Sequence, residues 1–375
     1  MTDNSLGIYI HIPFCERKCR YCDFLSFSAD DREKEKYADA LIGETDECEC
    51  EGQSVDTVFF GGGTPTVLPT ELTLKIMEKI REKFNVTPDA EITTECNPKT
   101  ADKEKLTAYK KAGFNRISIG LQSAREDELK VLGRIHDFKD FTECFSAVRE
   151  AGFENINIDL MMGLPGQDFK IFSETLDKVT KFDPEHISVY SLILEEGTPL
   201  EKNIENFDPL PNEDEERKIY HGTVKALEDK GFHRYEISNF AKKGYECRHN
   251  LKYWELKDYR GFGIGAASFL KGKRFSNTKD IGKYMSAEDV KKLREDIHTP
   301  DQRELMGEFM FLGLRKTDGI RVSDFRKLFR ADIEDVFGEV INKQMREKTL
   351  KKTPDGFALT DRGIDVSNFV LADYV

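Results

Sequence analysis

Between Gly7 and Leu192 the chain alternates short apolar, β-branched runs with longer amphipathic stretches. The runs GIYIHI (7–12), VDTVFFGGG (55–63), AEITTEC (90–96), RISIGLQ (116–122), NINIDLMMG (155–163) and HISVYSL (186–192) read as six strands, each short and bounded by turn residues. REKEKYADALIGE, TELTLKIMEKIREKF, DKEKLTAYKKAG, FTECFSAVREAG and FKIFSETLDKVTKF lie between them with helical periodicity, and several of these close on glycine. A parallel crossover needs a connection of helix length, so this repetition predicts an α/β fold with a parallel sheet and helices outside it. Six units over residues 1–193 fit a partial (β/α)6 barrel better than a closed eightfold one.

After LILEEGTPL the rhythm changes. Residues 194–299 read as an irregular extension packed on the barrel. From residue 300 to 375 the pattern is three helices, a hairpin at LKKTPDGFALT with its Pro-Asp-Gly turn, and a last helix. That order resembles a winged helix, expected here as a cap over the barrel mouth.

A length of 375 residues exceeds what one hydrophobic core usually holds, which agrees with more than one unit. The net charge of −13 argues against a nucleic-acid partner, which would call for a concentrated basic face. No run of about 18 apolar residues occurs, and MTDNSLG lacks the basic and apolar regions of a secretory signal, so a cytoplasmic location is expected. Three of the eight cysteines fall within eight positions, which speaks for ligand chemistry in a reducing compartment over a disulfide framework.

Those three are Cys15, Cys19 and Cys22, at C-x3-C-x2-C directly after the first strand, with Phe24 where a fourth thiol might stand. A c-type haem signature fails because Asp23, not histidine, follows Cys22. A redox pair leaves Cys15 unexplained. A zinc site completed by His11 stays open, although His11 alternates within an apolar strand and is more easily a packed residue. Three thiolates on a [4Fe-4S] cluster, with one iron left to bind a small molecule, use all three cysteines and place the cluster at the C-terminal face of a barrel.

The other strand ends supply polar groups suited to such a ligand. Gly61–Pro65 (GGGTP) permits close backbone approach, although alone it would be a plain tight turn. Glu95, Gln122 and Asp159 end the third, fourth and fifth strands, with Arg134 in LGRIHD between the last two. Each taken singly is a common solvated loop residue; together they suit ribose hydroxyls and a carboxylate.

The cysteine spacing after a first strand resembles the radical S-adenosylmethionine (SAM) superfamily, in which SAM chelates the open iron. YIHIPFC, FFGGGTPT, SIGLQS and IDLMMGLPGQ further resemble the oxygen-independent coproporphyrinogen III oxidase group over nearly the whole chain. That resemblance implies a [4Fe-4S] cluster on Cys15, Cys19 and Cys22, and SAM contacts from Tyr9, Gly63, Thr64, Glu95, Gln122, Arg134 and Asp159. Two departures, Phe24 in place of a fourth cysteine and a first strand that begins near residue 7, match the haem-chaperone branch of the group. The branch implies haem as cargo, a haem-requiring client enzyme, the membrane surface included among its settings, and a reductant for the cluster. The alternative is a coproporphyrinogen III dehydrogenase.

The branch also carries an H-N-x-x-Y-W motif, here His249, Asn250, Tyr253 and Trp254, in which His249 is the candidate haem contact; the plain alternative is a satisfied core histidine. Cys247 is a weaker candidate, and Cys48, Cys50, Cys96 and Cys144 read as structural or incidental. Replacing Cys15, Cys19 or Cys22 by alanine is expected to abolish the cluster, since each thiolate is the sole protein ligand of one iron. About one zinc per chain and no iron–sulfur absorption in the reconstituted wild-type protein would overturn this.

Overall fold

The computed structural model describes residues 5–375. All six expected strands form, as β1 (Leu6–Ile12), β2 (Ser54–Gly62), β3 (Asn85–Cys96), β4 (Arg116–Gln122), β5 (Asn155–Met162) and β6 (His186–Ser191), each parallel to the next. The helices α1 (Asp31–Asp46), α2 (Thr70–Lys83), α3 (Lys103–Lys111), α4 (Glu126–Leu132), α5 (Phe138–Glu150) and α6 (Phe169–Val179) run in the crossovers. Local chemistry sets their starts: Asp30 and Asp137 each form a capping box, and Asp102 and Asp168 accept from the first-turn backbone. One continuous core lies between sheet and helices, and β4 is buried at all seven positions.

The region from 194 to 299 is not an irregular appendage. Past α7 (Pro199–Lys202) and α8 (Glu213–Glu228) it adds six strands to the same sheet: β7 (His233–Arg234), β8 (Asn239–Ala241), β9 (Tyr259–Phe262), β10 (Ala267–Leu270), β11 (Lys273–Asn277) and β12 (Arg294–His298). Strand β9 pairs parallel with β1, while β8 pairs antiparallel with β6, so the late segment extends both flanks of the barrel. The strands are short and pair with partners far away in sequence, which is why periodicity alone does not reveal them. Within this region lies α9 (Arg248–Trp254), set near the starts of the barrel strands.

A buried ion pair fixes this region to the barrel. Glu44 of α1 meets Arg260 of β9, both almost wholly buried. The Glu44 carboxylate also accepts from Tyr284 Oη at 2.7 Å, Gly263 N at 2.9 Å and Asn277 Nδ2 at 2.8 Å. A carboxylate out of water requires such multiple donors to offset its lost hydration.

Residues 302–372 form the expected winged-helix order, with α11 (Gln302–Gly313), β13 (Ile320–Arg321), α12 (Val322–Phe329), α13 (Ile333–Arg346), the hairpin β14 (Leu350–Thr353) and β15 (Gly356–Leu359), and two final short helices; α10 (Ile281–Met285) precedes them. This unit has its own core around Met310, Phe325, Phe337 and Tyr374. Its place corrects the expected cap over the mouth. It packs against the base of the barrel, with Arg315 over the Trp254 ring at 4.6 Å, Arg274 on Glu308 at 2.6 Å, and Thr317 N on Tyr235 O at 3.0 Å. Glu44→Leu is expected to destabilise the protein by about 3–5 kcal/mol, because Arg260 is left charged and unpaired. Urea unfolding measures this, and a loss below about 1 kcal/mol would show that the network does not hold the extension in place.

Candidate cofactor site

The cysteine loop is closed at its base and docked along its length. Phe27 N donates to Pro13 O at 2.9 Å and Cys15 N to Phe27 O at 3.0 Å, while the Phe14 ring is buried edge-on against Phe27 and Tyr37. Arg20 N donates to Leu132 O at 3.0 Å, Leu200 N to Arg20 O at 2.8 Å, and Arg17 Nη2 to Gly133 O at 2.8 Å. Cys15, Cys19 and Cys22 are half-buried and unpaired by disulfides. Burial raises the Cys15 and Cys22 thiols above their usual range. Among the described residues, no three His, Cys, Asp or Glu side chains gather closely enough for a single metal ion. Three separated soft thiols on one docked loop are the donor set a [4Fe-4S] cluster uses, with one iron for each sulfur.

His11 does not complete a zinc site. Its Nδ1 pairs with Tyr9 Oη at 3.0 Å and its Nε2 with Leu25 O at 3.0 Å, so it braces β1 against the cysteine loop. Of the remaining cysteines, Cys48 and Cys50 are in sulfur–sulfur contact, and Cys96 and Cys144 are buried 3.9 Å apart.

The glycine turn after β2 fits the loop backbone to backbone. A Cβ on Gly63 would lie 2.7 Å from Phe14 O, and one on Gly62, at φ +117°, would strike the His11 ring. Thr64 N donates to Phe14 O at 2.7 Å, and Thr64 Oγ1 lies 3.6 Å from Cys15 Sγ. Arg134, reaching in after α4, donates to Cys19 Sγ at 3.3 Å, to Asn97 Oδ1 at 2.5 Å and to Gly120 O at 2.5 Å. Asn97 in turn donates to Thr64 Oγ1 at 2.7 Å. Gln122 holds φ +73°, a conformation a non-glycine residue adopts only when its surroundings enforce it. The structure thus brings Thr64 and Arg134 to the thiols and Gly63 to the loop backbone, with the Gln122 amide beside Gly120, whose carbonyl Arg134 holds.

Below this layer lies the lumen. Glu95 accepts from Gly62 N at 3.1 Å, and its pKa is pushed up to about 8, first by burial and then by the charge of Asp159. Asp159 accepts from Ser118 Oγ and Asn157 Nδ2, each at 2.8 Å, and burial raises its pKa as well. Tyr9, Glu95 and Asp159 line a cavity of about 200 Å³ that reaches down to Arg116, whose guanidinium is buried with Nε unpartnered. Sequence reasoning missed Asn97, Arg116, Ser118 and Asn157. All four carry a readable signal, because Arg116 and Ser118 fall on the inward period of β4, Asn157 on that of β5, and Asn97 lies two positions beyond Glu95.

Helix α9 closes the lumen at its base. Glu91 of β3 accepts from Arg248 N and His249 N, each at 3.0 Å, and so caps the helix start; Lys252 meets Asp56 at 2.7 Å. His249 is 1% exposed, with Nδ1 on Thr57 Oγ1 at 2.9 Å and Nε2 on Tyr253 Oη at 2.8 Å, over the Phe59 ring. Burial pushes its pKa down to about 3. The ring belongs to the lumen wall with both of its nitrogens occupied, the geometry of the satisfied core histidine that is the plain alternative. Cys247 is buried beneath it, 3.6 Å from Glu91.

An open barrel of six parallel units, with three thiols on the loop after its first strand, defines a radical SAM protein, and the model of the Radical SAM superfamily matches residues 9–179. The model of the HemN C-terminal domain matches residues 301–366. The heme chaperone HemW of Bacillus subtilis (strain 168) is 37% identical over 372 residues, 98% of each chain, and that of Lactococcus lactis is 32% identical over all of this chain and 98% of its own. The chain belongs to the HemW family. Among solved structures, coproporphyrinogen III oxidase (HemN) from Escherichia coli shares the fold, with a TM-score of 0.86 at 22% identity, over 99% of this chain and 90% of that one.

The raised pKa of Glu95 carries a sign that can be tested without any ligand. Between the ordinary carboxylate range and about pH 8 the unfolded chain is ionised at this position while the folded chain keeps its proton, so stability falls as pH rises through that window. Glu95→Gln is expected to remove a fall of up to about 1.4 kcal/mol per pH unit. Urea unfolding at pH 5.5 and 8 checks it; parallel curves for the two proteins would contradict the burial of an uncharged carboxyl.

Proposed function

We propose that the chain is a radical-SAM-type haem chaperone of the cytoplasm, which binds a [4Fe-4S] cluster, SAM and haem and passes haem to a client protein. The observation that carries this reading is the likeness to the heme chaperone HemW of Bacillus subtilis along 98% of both chains. The same likeness disfavours the coproporphyrinogen III dehydrogenase alternative, despite the shared fold. Among the described residues no helix is long and apolar enough to cross a membrane.

Each residue has a task in this reading. Cys15, Cys19 and Cys22 hold the cluster. Gly63 and Thr64 bring backbone close to the methionyl end of SAM, and Arg134 offers it a guanidinium while fixing Cys19. Tyr9, Glu95, Gln122 and Asp159 face its nucleoside, where a neutral Glu95 both donates and accepts a hydrogen bond. Bound together, cluster and SAM supply one-electron cleavage chemistry at the sulfonium.

Haem meets His249 from the side away from the cluster. Tyr253 separates the imidazole from a groove of about 290 Å³ between the barrel and the C-terminal unit, lined by Leu256, Tyr259, Phe269 and Phe311 among others. This apolar, aromatic surface suits a porphyrin edge once Tyr253 turns aside and frees Nε2. His249→Ala is expected to weaken haem binding about tenfold and shift the Soret band, whereas Tyr253→Phe, which releases Nε2, binds haem at least as tightly as wild type. Haem titration of the three proteins decides it. An unshifted Soret band in His249→Ala would remove His249 from the haem contact, and SAM-dependent loss of coproporphyrinogen without haem binding would return the dehydrogenase.

A further inference from the structure

The cysteine loop carries an unusual surface for so acidic a chain. Arg17, Lys18 and Arg20 are exposed between Cys15 and Cys22, and exposed Lys130 on α4 adjoins them, with Arg20 Nη1 donating to Lys130 O at 3.2 Å. Nearby cations are neutralised, as Lys99 is by Asp140, Arg125 by Asp127 and Lys139 by Glu143. Among the described residues, Arg17, Lys18, Arg20 and Lys130 take part in no ion pair; the three loop cations are tied by hydrogen bonds to backbone carbonyls. Such bonds orient a cation without cancelling its charge. Glu16 and Asp23 are the acids exposed on the same loop, which leaves an excess of positive charge there in a protein of net charge −13. Beside these cations stands Phe24, 64% exposed, its carbonyl held by Lys18 Nζ at 2.8 Å. A large exposed aromatic beside oriented cations is the composition of an interface hot spot.

We propose that this patch is the docking face for an acidic one-electron carrier protein, bearing a flavin or an iron–sulfur group, that reduces the cluster held by the same loop. The inference rests on the cluster reading above. Phe24 lies two residues from Cys22, so a partner seated on it stands beside the thiols. One aromatic and four cations also match the small, electrostatically steered contacts of electron-transfer partners better than a broad client interface. One electron leaves the carrier, which is oxidised by one unit, and enters the cluster, which is reduced by one; no bond is made or broken.

A fluorescently labelled acidic flavodoxin serves as the probe. Its binding is followed by anisotropy to the protein with and without its cluster, and electron transfer by stopped flow with the cluster loaded. At low ionic strength the double variant Lys18→Glu, Lys130→Glu is expected to lose at least tenfold in association rate and affinity, and the difference from wild type is expected to shrink at 300 mM salt. Phe24→Ser is expected to speed dissociation at both salt concentrations. Photoreduction of the cluster by a small neutral deazaflavin is expected to be equal in all three proteins, which shows that the cluster itself is intact. Equal flavodoxin binding by the double variant and wild type overturns the proposal. So does a variant that keeps the carrier but loses affinity for phosphatidylserine vesicles or for a haem-accepting protein, which would give the patch to that partner. A chain that takes up no cluster refutes the cluster reading instead, and the anisotropy arm still reports on the patch.

Discussion

A sheet of parallel strands that curls without closing leaves a lumen with polar strand ends at its mouth and no eighth unit to fill its base. In this protein α9 fills it, and much of the site depends on that helix staying in place. Its first turn is held by the Glu91 carboxylate, its middle by the pairing of Thr57 with His249, and its far side by Lys252 on Asp56. Each of these tethers is buried or nearly so. Loss of one leaves a polar group in a low-dielectric setting, where an unmade hydrogen bond costs about 1–3 kcal/mol. The lumen wall and the helix are therefore one cooperative unit, and the C-terminal unit adds its weight through Trp254 and Arg315.

Above the plug the polar groups are stacked in layers. Arg116 lies at the base, Ser118 and Asn157 hold Asp159 in the middle, Glu95 hangs from Gly62, and Arg134 bridges Asn97 to Cys19 at the top. Gly120 takes the one inward position of β4 where a side chain would block the arginine, since a Cβ there would sit 2.7 Å from Asn97 Oδ1. The arrangement is preorganised, with donors and acceptors fixed by strand geometry and not by mobile loops.

What the sequence reveals and conceals follows from range. The six barrel strands and the cysteine loop are legible because their signals, apolar runs and fixed spacing, are local. The parallel pairing of β9 with β1 and of Glu44 with Arg260 is set by tertiary contact alone, so residues 194–299 look irregular until they are folded. His249 shows the same limit in a different form. Its motif marks a special residue, yet only the fold shows that Thr57 and Tyr253 occupy both ring nitrogens. The place of the C-terminal unit, at the base and not the mouth, likewise follows from contacts with α9 that no periodicity encodes.

The pairing of β1 has a consequence for synthesis. One edge of LGIYIHI finds β2 early, but the other waits for Tyr259–Phe262, roughly 250 residues later. At about 5–20 residues per second, a ribosome leaves that edge bare for some tens of seconds. An uncharged, β-branched segment with open backbone donors is the kind that pairs with the wrong chain. Nascent chains of this protein thus pass through a long interval with an adhesive edge at the very strand that leads into the cysteine loop, and crowding of ribosomes on one message would penalise it before any cofactor is bound.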